Sequence, residues 1–110
     1  MNLSDYQKQA QRTSNTSDWS SKIENGIFGL CGEVGECADI YKKYMYQEHE
    51  FDKRHMVEEL GDVLWYCAEL ASGLGVTLED VARKNIDKLW RRYPEGFDSV
   101  RSTNRKDDNA

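Results

Sequence analysis

Only one proline interrupts the 110 residues, so long helices can run without the missing N–H and the ring clash that break them. Apolar runs are short as well. No stretch approaches the roughly 18 apolar residues that a membrane span needs, and Met1 to Ala10 lacks the basic region and apolar block of a secretory signal. A cytoplasmic protein with no membrane partner is expected. The three cysteines, Cys31, Cys37 and Cys67, leave an odd number and form no C-x-x-C pair, so neither a disulfide framework nor a structural zinc site is indicated. They read as reduced, small packing side chains. A basic surplus is also missing: the formal charge is −5, the opposite of the footprint that binds a nucleic-acid polymer. No internal repeat or low-complexity block is present.

What is there favours helix. The length suits one domain, charged residues make up 32% of the chain, and the Ala, Leu, Glu and Lys content favours helix over strand. Ser4-Asp5-Tyr6-Gln7 and Ser21-Lys22-Ile23-Glu24 read as capping boxes for a short first helix, fading near Thr13, and a longer second one reaching about Tyr46. The polar run Ser14 to Ser20 between them reads as a loop. On the second helix Ile27, Cys31, Val34, Ala38, Tyr41 and Met45 recur at helical spacing and predict its core face. Asp52 is the expected N-cap of a third helix over about Lys53 to Ser72, ended by Gly73 and Gly75. Its apolar residues, Met56, Leu60, Val63, Leu64, Cys67, Leu70, Ala71 and Leu74, spread too widely for packing on one side, which predicts a central helix. Thr77-Leu78-Glu79-Asp80 opens a fourth helix to about Tyr93, stopped by Pro94 and Gly96. Residues 98–110 carry few apolar side chains, Val100 and Ala110, and read as a disordered tail after a domain spanning 1–97.

The acids are placed in pairs. Glu33 and Glu36 lie three apart on helix two, Glu59 and Asp62 three apart on helix three, and such pairs share a face. An antiparallel arrangement of the two helices would bring four carboxylates together, and like charges at that range repel unless a cation sits among them. Magnesium, a hard ion that takes oxygen ligands and bridges to phosphates, suits the set, with manganese as a substitute. Glu33 or Glu36 would serve as proton acceptor. Acids at this spacing also occur on plain solvated faces. Gly29, Gly32, Gly35 and Gly61 beside them weigh against that, since glycine costs a helix up to about 1 kcal/mol against alanine, and close approach to the backbone would explain them. Glu58, four residues before Asp62, ranks behind the four as a neighbour.

Gly32-Glu33-Val34-Gly35-Glu36, followed after 22 residues by Glu59-Leu60-Gly61-Asp62-Val63-Leu64-Trp65-Tyr66, resembles the E-x-x-E…E-x-x-D pattern of the MazG-like all-α nucleotide pyrophosphohydrolases. Lys84-Asn85-Ile86-Asp87-Lys88-Leu89 and Arg92-Tyr93-Pro94-Glu95-Gly96-Phe97 resemble that family's closing segment. The resemblance implies an all-α, four-helix protomer whose bundle is completed by a dimer or tetramer, with Glu33, Glu36, Glu59 and Asp62 holding magnesium. It also implies hydrolysis of a nucleoside triphosphate between its α and β phosphates, giving the monophosphate and pyrophosphate, in nucleotide-pool sanitation. For Asn85 it favours a phosphate or metal-site contact, and Lys84, Lys88 and Arg91 form a basic stripe that either meets phosphate oxygens or is a solvated helix edge. Asn85 is set among Val81, Ala82 and Leu89, where its amide needs a buried partner or a ligand. Tyr66, one turn beyond Asp62, is placed to reach sugar or base, with plain packing as the alternative. Trp19 either stacks on a base or covers the edge of the core, and Trp65 and Trp90 read as packing or interface.

Related dUTPases and phosphoribosyl-ATP pyrophosphohydrolases share the architecture, so it does not fix the substrate. A non-catalytic helical adaptor is the alternative from another class. A di-iron carboxylate bundle is disfavoured, because neither His49 nor His55 completes the Glu-x-x-His spacing it uses.

Overall fold

In the computed structural model, which describes residues 1–104, every regular element is helical. Helix α1 (Leu3–Gln11) begins at Asn2, whose side chain accepts from the Asp5 backbone N–H at 2.8 Å. Helix α2 (Trp19–Tyr46) begins at Asp18, which accepts from both the backbone N–H and the hydroxyl of Ser21. Both caps therefore lie upstream of the serines that the capping-box pattern selects. Asn and Asp cap as well as Ser, and Asp18 draws the start of α2 into the stretch read as loop. Asp52 caps α3 (Lys53–Gly73) as expected, accepting from His55 N–H.

The chain forms two compact units that divide after Leu78. In the first, α2 and α3 are an antiparallel pair with α1 against α3. Contacts between α2 and α3 recur about one turn apart: Ile23 with Gly73, Gly26 with Leu70, Gly29 with Tyr66, and Glu33 with Glu59 and Asp62. Three of these rungs need glycine: a Cβ on Gly73 would lie 2.9 Å from Ile23 N. A Cβ on Gly26 would lie 2.7 Å from Leu70 Cβ, and one on Gly29 would collide with the Tyr66 ring. Gly32, Gly35 and Gly61 face open space, so close approach explains only Gly29 among the four glycines flanking the acids. At the turn end, Phe51 folds back onto Tyr41 and Tyr44, with ring centroids 6.0 and 5.5 Å away.

The core of this unit is small: Ala10, Ala68, Ala71 and Leu78, with Tyr6, Trp65 and Cys67 against it. Buried Gln7 ties the end of α3 to the chain that follows. It donates to Ser72 Oγ and Val76 O and accepts from Leu78 N–H at 2.7 Å. The predicted core stripe of α2 points outward instead, with Ile27, Val34 and Met45 about half exposed. The face turned to α3 carries Gly26, Gly29, Glu33 and, at the same spacing, half-buried Leu30, Cys37 and Ile40. Val57, Leu60 and Leu64 of α3 are exposed too. Periodicity identifies an apolar face but not what covers it.

The second unit holds most of α4 (Leu78–Arg92) and a short α5 (Ser99–Thr103). Asp98 caps α5 by accepting from the Val100 and Arg101 N–H groups. Arg101 in turn donates to the Arg92 and Arg91 carbonyls. Residues 99–103 are thus helical where the composition predicts a tail; residues 105–110 of that predicted tail lie outside the described residues.

Candidate metal and nucleotide site

The antiparallel register sets Glu33 of α2 opposite Glu59 and Asp62 of α3. One carboxylate oxygen from each of the three lies within 4.8 Å of the others, and among the described residues this is the one group of that kind. Glu33 carries the strain. Its hydrogen bond with Glu59 comes first, then burial, then the charges of Glu59, Asp62 and Glu36, and together they push its carboxyl up to about 7. One of its oxygens, Oε2, is buried with no hydrogen-bond partner. A buried acceptor without a donor is costly, and a hard cation among three carboxylates would remove both the orphan and the repulsion. The residues present therefore fit a divalent metal.

Glu36 stands outside this trio. It is exposed and lines a cleft of about 320 Å³ with Asp39, Lys43, His49, Asp52 and His55. Glu58 is exposed and paired with Arg54. Beside the trio, Glu33, Asp62, Trp65 and Tyr66 line a cavity of about 290 Å³. Tyr66 lies on the bare backbone at Gly29, and the Trp65 ring stands nearly perpendicular to it at 5.0 Å. Trp19 is the first residue of α2 and 69% exposed. In the second unit, Lys84, Asn85, Lys88 and Arg91 line an open groove of about 610 Å³ along α4 with Val81 and Asp87. Asn85 is exposed there rather than enclosed, since Val81 and Leu89 are themselves exposed.

Sequence reasoning assigns no site role to four residues at or near the cluster. His55 Nε2 lies 3.2 Å from Glu59 Oε1, a four-residue step that was legible. Tyr6 has its hydroxyl pKa raised by burial and by the charges of Asp62 and Cys67, which only tertiary packing reveals. Trp65, read as packing or interface, is a cavity wall. Glu69, seven residues after Asp62 and so on nearly the same face, is wholly buried.

Known proteins give the same direction. Over 72 residues the chain is 39% identical to the Gene 37 protein of Mycobacterium phage L5, covering 62% of this chain and 63% of that protein's length. It is 31% identical over 106 residues to the uncharacterized protein YvdC of Bacillus subtilis strain 168, covering 84% of this chain and 97% of the relative. No solved structure matches. Residues 22–97, which hold all four paired acids and the α4 groove, match the MazG nucleotide pyrophosphohydrolase domain, and the chain belongs to that family.

Proposed function

We propose that this protein hydrolyses a nucleoside triphosphate at the α–β phosphate bond, releasing the monophosphate and pyrophosphate, with magnesium as cofactor and manganese able to replace it. The observation that carries the reading is the convergence of Glu33, Glu59 and Asp62 around an unpartnered buried oxygen. These three would hold the cation. When bound, such an ion neutralises phosphate charge and lowers the pKa of water. The remaining roles belong to the chain itself. Glu36, exposed and outside the trio, takes the proton of the attacking water. Trp65 and Tyr66 wall the cavity against bulk water and offer ring faces to sugar or base, and Trp19 offers another. Lys84, Asn85, Lys88 and Arg91 supply donors for phosphate oxygens. The outward apolar faces of α2 and α3 support a homodimer or a dimer of dimers, and sanitation of the nucleotide pool in the cytoplasm is the role that fits.

The test is replacement of Asp62 or Glu36 by the neutral amide. Asp62→Asn and Glu36→Gln keep shape, so folding survives, while magnesium-dependent pyrophosphate release falls by at least about a hundredfold, near 3 kcal/mol of transition-state stabilisation. The magnesium-induced rise in Tm also shrinks for Asp62→Asn. Retention of near-wild-type release by both variants would falsify the site.

A further inference from the structure

Two turns along α3 from Asp62, Glu69 is a fully buried carboxylate that the chemistry above does not use. It accepts from Gln11 Nε2 at 2.9 Å, Ser14 Oγ at 2.8 and 3.1 Å, Thr16 Oγ1 at 2.8 Å and Asn25 Nδ2 at 2.8 Å. Lys22 Nζ lies 3.5 Å away and donates to Gln11 Oε1 and Ser14 Oγ. Burial would raise this carboxyl, but the hydrogen bonds from Asn25, Gln11, Thr16 and Ser14 outweigh it and hold the group down at about 2. The donors come from the end of α1, the connection at 12–18 and the first turns of α2. A buried ion pair adds little stability over apolar packing of similar size. Its presence here points to a geometric task.

The same connection is fastened a second time, one turn nearer the acids. Trp65 Nε1 donates to Ala10 O at 3.1 Å and to Thr13 Oγ1 at 2.8 Å, and Trp65 is a wall of the cavity that Glu33 and Asp62 line. Helix α3 thus places two clamps, Trp65 and Glu69, on one segment, and that segment runs directly into Trp19.

We propose that Glu69 is a positioning residue for nucleotide binding: it fixes the α1–α2 connection and, through that connection, the Trp65 wall and the start of α2 at Trp19. The inference rests on the nucleotide reading above. Thr13 and Ser14 are neighbours in the chain, so release of Ser14 from Glu69 loosens the partner of the Trp65 indole. The carboxylate trio is insulated from this change, because the Gly26–Leu70 and Gly29–Tyr66 contacts hold α2 against α3 independently. The expected signature is weaker substrate binding with unimpaired metal binding and chemistry.

Two variants of the full chain test it. Glu69→Gln places an amide donor among donors; the double variant Ser14→Ala, Thr16→Val removes the grip on the connection and leaves Glu69 its bonds from Asn25 and Gln11. Three quantities are read: hydrogen exchange at residues 13–18, Mn²⁺ affinity, and kcat and KM for the triphosphate the wild type turns over best. Both variants should speed exchange at 13–18 and raise KM at least about tenfold, with kcat within about threefold and Mn²⁺ affinity within about twofold of wild type. Ser14→Thr with Thr16→Ser, which restores both hydroxyls, should return KM toward the wild-type value. An unmoved KM, unchanged exchange, or a fall in Mn²⁺ affinity and kcat alongside KM overturns the proposal. If Glu69→Gln does not fold, the hydroxyl variant decides. Wild-type turnover with unmoved KM in that variant removes this proposal alone, whereas a wild type that hydrolyses no triphosphate removes the nucleotide reading and this proposal with it.

Discussion

A proton and a cation compete for the same oxygens at the carboxylate cluster. Without metal, Glu33 is held at about 7 by its hydrogen bond with Glu59, by burial and by the surrounding acids, so below that pH a cation must displace a proton to bind. Apparent Mg²⁺ affinity should therefore climb by up to about tenfold per pH unit as pH approaches 7 and level off above it. Calorimetric titration in two buffers of different ionisation heat reads the released proton directly; an affinity independent of pH between 5 and 7 would remove Glu33 from the site. His55, 3.2 Å from Glu59, and Tyr6, whose hydroxyl feels Asp62, lie in the same field. The acids themselves were legible because a three-residue step has one geometric meaning on a helix. Tyr6 was not, because its approach to Asp62 joins residues 56 positions apart.

At the scale of the helices, the α2–α3 contacts depend on missing side chains. Gly26→Ala would gain up to about 1 kcal/mol of helix propensity, but its new Cβ would lie 2.7 Å from Leu70 Cβ and 2.9 Å from Leu70 backbone atoms. Overpacking costs about 1 to 3 kcal/mol, and the obstruction includes backbone, so the clash wins and the variant should be less stable by roughly 1–2 kcal/mol. Gly32→Ala meets nothing within 4 Å and should be stabilised by up to about 1 kcal/mol. Urea unfolding of the pair is decisive: equal shifts in the same direction would mean that the helices do not meet where described. Both glycines look alike in sequence, since each is a poor helix former inside a helical pattern. Only the register of α3 against α2 tells them apart. Helix starts divide in the same manner. Asp52 had no rival cap nearby, whereas Asn2 and Asp18 each compete with a serine two or three residues on, and the choice lies in which side chain meets a free N–H.

For the molecule as a whole, two carboxylates pull stability in opposite directions with pH. Glu69 has its folded pKa lowered from 4.5 to about 2, so its contribution is fully present above 4.5 and is lost as pH falls toward 2. Glu33 has its folded pKa raised from 4.5 to about 7; the folded state then binds more protons than the unfolded one, and stability falls as pH rises through that window. The metal-free protein should accordingly lose Tm between pH 5 and 7, and saturating Mg²⁺ should flatten that slope, as a melting series with and without the ion will show. The outward apolar faces set a second expectation. Val34 and Leu60 are 55% and 60% exposed in the single chain, so sedimentation should find a dimer or tetramer, and a lysine at Val34 should weaken it; a stable wild-type monomer at micromolar concentration would argue against self-association. The amino-acid sequence by itself determined helices α1 to α4, to within a few residues at most ends, the two acid pairs and the family, because these depend on local periodicity and on residue order; it did not indicate α5. The three-acid cluster with Glu36 left at its rim, the outward turn of the Ile27–Met45 stripe and the buried anion at Glu69 were decided only by tertiary structure. Each depends on which face of one helix meets another, and spacing along a single helix does not encode that choice.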